Sequence, residues 1–515
     1  MAWLELNQIK HSVRDRTLFE IEHLTIEPGD RIGLVGTNGS GKTTLLNIIK
    51  GTIQPDTGTV IRQKSVSLLP QLRAAIGIKS GGEVTANTII SVLNEKAGIL
   101  LADEPTTHLD VEHVEWLEKE ISQYQGAYII VSHDRDFLDK TCQQIWELDQ
   151  EEIKVYSGNY SAFEEEKKRA RKQQQISYEA YKKKERQLLQ AAESKKSKAD
   201  SITAESSHFY FRKKAQKLYK SAKSMESRME QLEKVEKPSE PETIKMTLTN
   251  SGEFINKYII RATDFSVQFP KKVLWKPSSF FIKGGEKVAI VGPNGSGKTT
   301  LLQHLINGSE RIQKTPAVKI GYFAQDLSVL DQNKTILENV AEGSVQTETL
   351  IRIVLAQLLF KQADVHKSVR VLSGGERVKV ALAKLILGDY NTLVLDEPTN
   401  FLDTQAIEAL ESLLSAYEGS VILVTHDRRI MNQFADKLLI LENQQIETFA
   451  GTYAEYQLSG SNEEITTIEE ELMRIENEIV AVLGKLSTAP SQDLEEQFEQ
   501  LIAKKRVLNK KDQNK

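Results

Sequence analysis

Gly36-Thr-Asn38-Gly39-Ser40-Gly41-Lys42-Thr43 stands near the start of the chain, and Gly292-Pro-Asn294-Gly295-Ser296-Gly297-Lys298-Thr299 repeats it 256 residues later. Glycines at this spacing let successive main-chain N–H groups converge on phosphates at a helix N-terminus. The lysines, Lys42 and Lys298, neutralise β- and γ-phosphate charge, and the hydroxyls of Thr43 and Thr299 reach Mg²⁺. Thr44 and Thr300 follow at the start of each helix. Before each loop runs an apolar strand pattern (Arg31-Ile-Gly-Leu-Val35; Lys287-Val-Ala-Ile-Val291), and after it a helical one (Thr44-Leu-Leu-Asn-Ile-Ile; Thr300-Leu-Leu-Gln-His-Leu). The duplication predicts two nucleotide-hydrolysing domains in one polypeptide, each using a nucleotide and Mg²⁺.

Further pairs follow in the same order. Gln71 and Gln325 are 254 residues apart, whereas Ser80-Gly81-Gly82-Glu83 and Ser373-Gly374-Gly375-Glu376 are 293 apart, as are Glu104/Glu397 and His133/His426. The offset grows by about 40 residues between the glutamine and the Ser-Gly-Gly-Glu. There the second half carries a segment, including the helical-looking 347–360, that the first half lacks. Apolar strands ending in acids (Gly98-Ile-Leu-Leu-Ala-Asp103; Thr392-Leu-Val-Leu-Asp396) alternate with helices. This pattern predicts an α/β fold of mixed or parallel sheets flanked by helices, with the ligand at the carboxyl ends of the strands.

Each strand exit presents two carboxylates. Asp103 and Asp396 suit direct or water-mediated Mg²⁺ coordination. Glu104 and Glu397 suit a base that orients and polarises a water for in-line attack on the γ-phosphate. His133 and His426 open a His-Asp pair after a further strand, placed to hydrogen-bond the γ-phosphate or the attacking water.

The chain has 515 residues, 39% hydrophobic and 27% charged, which gives room for two or three ordinary globular domains. No apolar run reaches the roughly 18 residues of a membrane-spanning helix, and Met1-Ala-Trp-Leu-Glu-Leu6 has no secretory pattern. Cys142 is the only cysteine, which excludes an internal disulfide and fits a reducing, cytoplasmic setting. The net charge is −5, yet residues 164–236 carry 20 Lys/Arg against 12 Asp/Glu. That stretch has no Gly or Pro, so a long helical hairpin is expected. Leu218, Ala222, Met225, Met229 and Leu232 recur at coiled-coil spacing on its descending arm. The tip is expected around 201–211, with arms of about 35 residues reaching roughly 50 Å. A basic rod of this kind suits RNA phosphates, and Ser206, Ser207, His208, Phe209, Tyr210 and Phe211 at its tip suit stacking on bases or contact with tRNA. A solvated charged face is the plainer alternative. At the far end, Ile465 to Leu486 and Leu494 to Leu508 carry 3–4 spacings of a second helical hairpin, which either packs on the protein itself or meets a partner. The expected domains are 1–163, 164–245, 246–458 and 459–515.

Phosphate loop, glutamine, Ser-Gly-Gly-Glu, Asp-Glu-Pro-Thr and histidine, in that order and twice, resemble ATP-binding-cassette ATPases over 1–458. Two cassettes joined by a charged helical linker resemble the ABC-F class, which acts on ribosomes and not in transport. The strings Asp103-Glu-Pro-Thr-Thr-His-Leu-Asp110 and Asp396-Glu-Pro-Thr-Asn-Phe-Leu-Asp403 are similar to the class pattern, with Thr107 and Phe401 as departures. The resemblance implies that Gln71 and Gln325 join the Mg²⁺ set. It implies that ATP on one loop meets the Ser-Gly-Gly-Glu of the other cassette, within one monomer. Phe269 matches the aromatic that stacks on adenine, and Val13 takes that place in the first half, which leaves the equivalence of the two sites open.

Only eight residues separate Gln71 from Ser80, which leaves no room for the arm domain of housekeeping members of the class. With the long linker, this resembles the antibiotic-resistance branch, Vga-type. The resemblance implies protection of the bacterial 70S ribosome, with contacts to 23S rRNA and P-site tRNA, against lincosamides, pleuromutilins and streptogramin A compounds. A translation factor that relieves stalled ribosomes without drug is the alternative, and an exporter ATPase the more distant one.

Overall fold

The computed structural model describes residues 1–14, 16–71, 81–107, 109–205, 209–232, 257–269, 272–324, 327–400 and 402–459. Two compact units emerge, one around each phosphate loop. The expected C-terminal hairpin lies outside the described residues.

The first unit opens with β1 (Leu4–Val13), β2 (Arg16–Ile26), β3 (Arg31–Gly36), α1 (Lys42–Lys50), β4 (Thr57–Arg62) and β5 (Val66–Leu69). It continues with α2 (Gly81–Asn94), β6 (Ile99–Asp103), α3 (Val111–Ser122), β7 (Ala127–Val131), α4 (Arg135–Thr141), β8 (Gln144–Asp149) and β9 (Glu152–Ser157). The order β5-β6-β7-β3-β8-β9 forms one sheet, parallel except for the final β8–β9 pair. A separate antiparallel sheet, β2-β1-β4, covers one face.

Strand periodicity explains why these strands read as apolar throughout. Successive side chains point to opposite faces, and both faces are covered. Ile32, Leu34, Ile99, Leu101, Ile129 and Val131 pack with α1 and the antiparallel sheet. Val35, Leu100, Ala102, Tyr128 and Ile130 face the opposite core, with Leu117, Phe137 and Leu138 of α3 and α4. Burial of each large aliphatic side chain contributes roughly 1.5–3 kcal/mol, so the strand ends that carry the acids are held firmly.

From this core rises the hairpin, α5 (Tyr160–Glu205) and α6 (Phe209–Glu230). Tyr160 and Phe163 are buried in the cassette core, with Phe163 edge-on to Tyr156 at 4.9 Å. The Ser161 N–H donates to Asp139 Oδ1 at 2.6 Å, and Lys167 pairs with Glu147. The helix thus begins inside the cassette, before the expected boundary at 163/164. The arms are not the equal ones expected: they run 46 and 22 residues. The expected seam is found. Ala215 and Ala222 are buried, and Leu218, Met225, Met229 and Leu232 are half-buried. Opposite them, Ala192 and Ala199 are buried, and Lys195 Nζ donates to Ser221 Oγ at 2.6 Å. Alanine on both arms lets the helix backbones approach closely.

The second half of the chain repeats the plan with β10 (Tyr258–Phe269), β11 (Lys272–Lys283), β12 (Lys287–Val291), α7 (Lys298–Asn307), β13 (Ile312–Lys314) and β14 (Ile320–Phe323). After these come α8 (Ile336–Ala341), α9 (Glu348–Gln357), α10 (Gly374–Ile386), β15 (Thr392–Asp396) and α11 (Thr404–Ala416). It closes with β16 (Ser420–Val424), α12 (Arg428–Phe434), β17 (Lys437–Glu442) and β18 (Gln445–Ala450). Its sheet order β14-β15-β16-β12-β17-β18 matches the first strand for strand, and β11-β10-β13 forms the antiparallel cover. Helix α9 falls in the segment that the first half lacks. Among the described residues no helix is long and apolar enough to cross a membrane.

Candidate nucleotide sites

In both units the phosphate loop leaves the central strand and turns directly into a helix. Gly41 and Gly297, the residues that cap α1 and α7, have φ of +108° and +101°. A Cβ there would meet the Phe19 ring at 3.1 Å or Trp275 at 2.5 Å, so only glycine satisfies both backbone and packing. Lys42 Nζ donates to the carbonyls of Gly36 (2.7 Å) and Thr37 (3.1 Å); Lys298 Nζ donates to Gly292 (2.8 Å) and Pro293 (3.2 Å). Both ammonium groups therefore lie across the mouth of the loop. Burial lowers the Lys42 pKa, and the nearby Glu104 carboxylate works against that shift.

Of the predicted Mg²⁺ residues, the threonine and the aspartate of each unit come together. Thr43 Oγ1 donates to Asp103 Oδ2 at 2.7 Å, and Thr299 Oγ1 to Asp396 Oδ2 at 3.1 Å. Burial raises both aspartate pKa values. One hydroxyl and one carboxylate fit a Mg²⁺ that takes its remaining oxygens from phosphates and water. No cluster of three His, Cys, Asp or Glu ligands occurs among the described residues.

Glu104 and Glu397 follow, each beside its histidine: His133 Nε2 lies 3.4 Å from Glu104 Oε1, and His426 Nε2 3.4 Å from Glu397 Oε1. Burial pushes both glutamate pKa values up to about 8, against the pull of Lys42 and Lys298. Burial, reinforced by the Lys42 charge, brings His133 down to about 3, so its imidazole is neutral at physiological pH. Glu104 Oε1, Glu397 Oε1, Ser40 Oγ and Ser296 Oγ are buried with no hydrogen-bond partner. Such atoms are costly unless a ligand satisfies them, and their place around the loop fits a triphosphate with its attacking water.

The Ser-Gly-Gly-Glu of the second unit is a capping box for α10. Ser373 N–H donates to Glu376 Oε2 at 2.8 Å, and the Glu376 N–H returns to Ser373 Oγ at 3.3 Å. The serine-to-glutamate spacing alone carries that signal. Gly374 and Gly375 then open the helix with free space around Gly374. In the first unit Gly81, Gly82 and Glu83 open α2, while Ser80 lies outside the described residues. Gln71 is exposed just past β5, and Gln325 also lies outside. Val13 and Phe269 end their strands at 48% and 49% exposure, equally open to a base. At the hairpin tip Tyr210 is 67% exposed. Ser206, Ser207 and His208, with the side chains of Phe209 and Phe211, lie outside the described residues.

Two features escaped the sequence reading. A hydroxyl pair joins Thr106 to Ser132 (3.0 Å) and Thr399 to Thr425 (3.5 Å). The Trp275 indole also donates to the Ser296 carbonyl at 3.0 Å, a bond that Phe19 at the matching position cannot make.

A family profile described as "ABC transporter" matches residues 20–79 and 275–400, and a second with the same description matches 146–248. The chain is 33% identical to the ribosome protection protein VmlR of Bacillus subtilis (strain 168), over 98% of both chains. It is 32% identical to the erythromycin resistance ATP-binding protein MsrA of Staphylococcus epidermidis, over 86% of this chain and 98% of that one. Among solved structures, RNase-L Inhibitor has the same fold, with a TM-score of 0.58 over 87% of this chain and 91% of that chain at 19% identity. Full-length similarity of this kind, on a chain with two phosphate loops each backed by its acid pair, makes it a member of the ABC-F family of ATP-binding-cassette ATPases.

Proposed function

We propose that the chain is a ribosome-protection ATPase of the Vga-type branch, acting in the cytoplasm. It binds the bacterial 70S ribosome near the P site and promotes release of lincosamides, pleuromutilins or streptogramin A from the peptidyl-transferase centre. The observation that carries this reading is the end-to-end 33% identity to a protein named for ribosome protection, basic hairpin included. The hairpin supplies the RNA-directed part: its excess of Lys and Arg follows phosphates by releasing counterions, and Tyr210 stands open at the tip.

The cassettes supply the energy. Loop N–H groups with Lys42 or Lys298 hold the β- and γ-phosphates, while Thr43–Asp103 and Thr299–Asp396 hold Mg²⁺. A Mg²⁺ held there would supply charge neutralisation at the phosphates. Glu104 and Glu397 take a proton from the attacking water, and the histidines 3.4 Å away keep that water and the γ-phosphate in line.

Expression in a susceptible bacterium should raise the inhibitory concentration of lincomycin or tiamulin severalfold. No change for any peptidyl-transferase drug discards the reading. The hairpin charge equally suits a factor that rescues stalled ribosomes without drug, and toeprinting with and without antibiotic separates the two.

A further inference from the structure

In both units the strand that delivers the glutamate and the strand that delivers the histidine are neighbours. Their parallel ladder ends at Asp103↔Val131 and at Asp396↔Val424. Beyond those rungs the chain continues as Glu104-Pro-Thr106 beside Ser132-His133-Asp134, and as Glu397-Pro-Thr399 beside Thr425-His426-Asp427. One further main-chain bond survives: Glu104 N–H donates to Val131 O at 2.8 Å, and Glu397 N–H to Val424 O at 2.9 Å. Past it no main-chain rung joins Thr106 to Ser132. A hydroxyl pair stands in its place, Thr106 Oγ1 with Ser132 Oγ at 3.0 Å and Thr399 Oγ1 with Thr425 Oγ1 at 3.5 Å.

We propose that these two hydroxyl pairs are positioning devices for hydrolysis, side-chain rungs that fix the glutamate-bearing turn against the histidine-bearing turn. Ser132 and Thr425 are each 1% exposed, so their hydroxyls have no water to turn to. Each also accepts a main-chain bond from the residue after the histidine, Asp134 N–H or Asp427 N–H, both at 3.1 Å. Ser132 and Thr425 thus each hold their own turn through one bond and the opposite turn through the other. The outcome is the same 3.4 Å carboxylate-to-imidazole distance in two cassettes that differ in sequence around it. Capping the His-Asp turn needs only the bond from Asp134 or Asp427. The threonine four residues before Asp110 or Asp403 adds nothing to that cap, and its bond makes sense as a spacer. The inference concerns the ATPase step alone and stands apart from any action on ribosomes.

The test replaces Thr106→Val with Thr399→Val in the full chain, keeping shape while deleting the bridging hydroxyls. Without ribosomes, kcat should fall about 10- to 100-fold, the scale of an ångström-level misplacement of a reacting group, with KM within about twofold. The pH midpoint of kcat/KM should move, because the surroundings of the glutamate change. Thr106→Ser with Thr399→Ser should restore kcat to within about threefold. Should valine prevent folding, Thr106→Ala alone, which removes the bridging hydroxyl in the first cassette and leaves the Ser132–Asp134 bond in place, should lower kcat with unaltered ATP binding. Parental kcat and pH profile in the folded valine pair overturns the proposal. So does an equal loss in the serine pair, which would show that the turn tolerates no change of side chain rather than needing the hydroxyl, or a parental rate in the Thr106→Ala chain.

Discussion

Glu104 and Glu397 hold φ angles of +51° and +49°, the left-handed region that a side chain avoids at a cost of about 1–2 kcal/mol. The strand ends pay that cost through the Val131 and Val424 carbonyls, and the reward is a carboxylate turned toward the phosphate loop. Because burial raises these pKa values to about 8, and a base acts only when ionised, kcat/KM for ATP should climb between pH 7 and 9 with a midpoint near 8. A flat profile would refute the assignment. Glu104→Gln with Glu397→Gln should retain ATP and lose turnover. Stability carries the same sign. An acid with a raised pKa in the folded chain costs stability above its ordinary value of 4.5, with the full cost present above pH 8. The glutamine pair should therefore melt higher than the parent at pH 8.5, by about 2–4 °C per kcal/mol relieved, and gain little at pH 5; differential scanning fluorimetry reads this.

The hairpin seam shows what periodicity reveals and what it hides. Leu218, Met225 and Met229 make the seam of α6 legible in the sequence, whereas on α5 the polar Lys195 interrupts it and meets Ser221 across the interface. Arm lengths are equally hidden. Ser201 and Thr203 look like turn residues, yet their hydroxyls donate back to Ser197 O (3.0 Å) and Ala199 O (2.8 Å), and the helix runs on. Small side chains make the contact tight, so Ala199→Leu with Ala222→Leu should overpack it by about 1–3 kcal/mol. Hydrogen exchange across both arms should accelerate while ATPase activity without ribosomes stays at the parental rate. Unchanged protection would mean that the arms do not rely on that seam.

Across the whole chain, the nucleotide-binding half of the chemistry is written in consecutive residues and could be read directly. In each unit the loop threonine lies beside the first acid and the histidine beside the second. What sequence did not reveal depends on strands brought side by side: the hydroxyl pairs span 26 residues, and the indole brace spans 21. Ribosome pelleting with ATP should fall steeply as salt rises, and charge-reversal of Lys213, Lys217 and Lys220 on α6 should flatten that slope. A mutant slope equal to the parent's would count against RNA contacts through these lysines. One feature of the fold extends this to mechanics. Tyr160 and Phe163 root α5 in the same core that backs β7 and β8, so a rotation of the first cassette would carry the base of the 46-residue helix with it. Such a helix is about 70 Å long, so a tilt of about 5° at its root sweeps the far end by about 6 Å, a nucleotide's spacing won from a barely visible rotation.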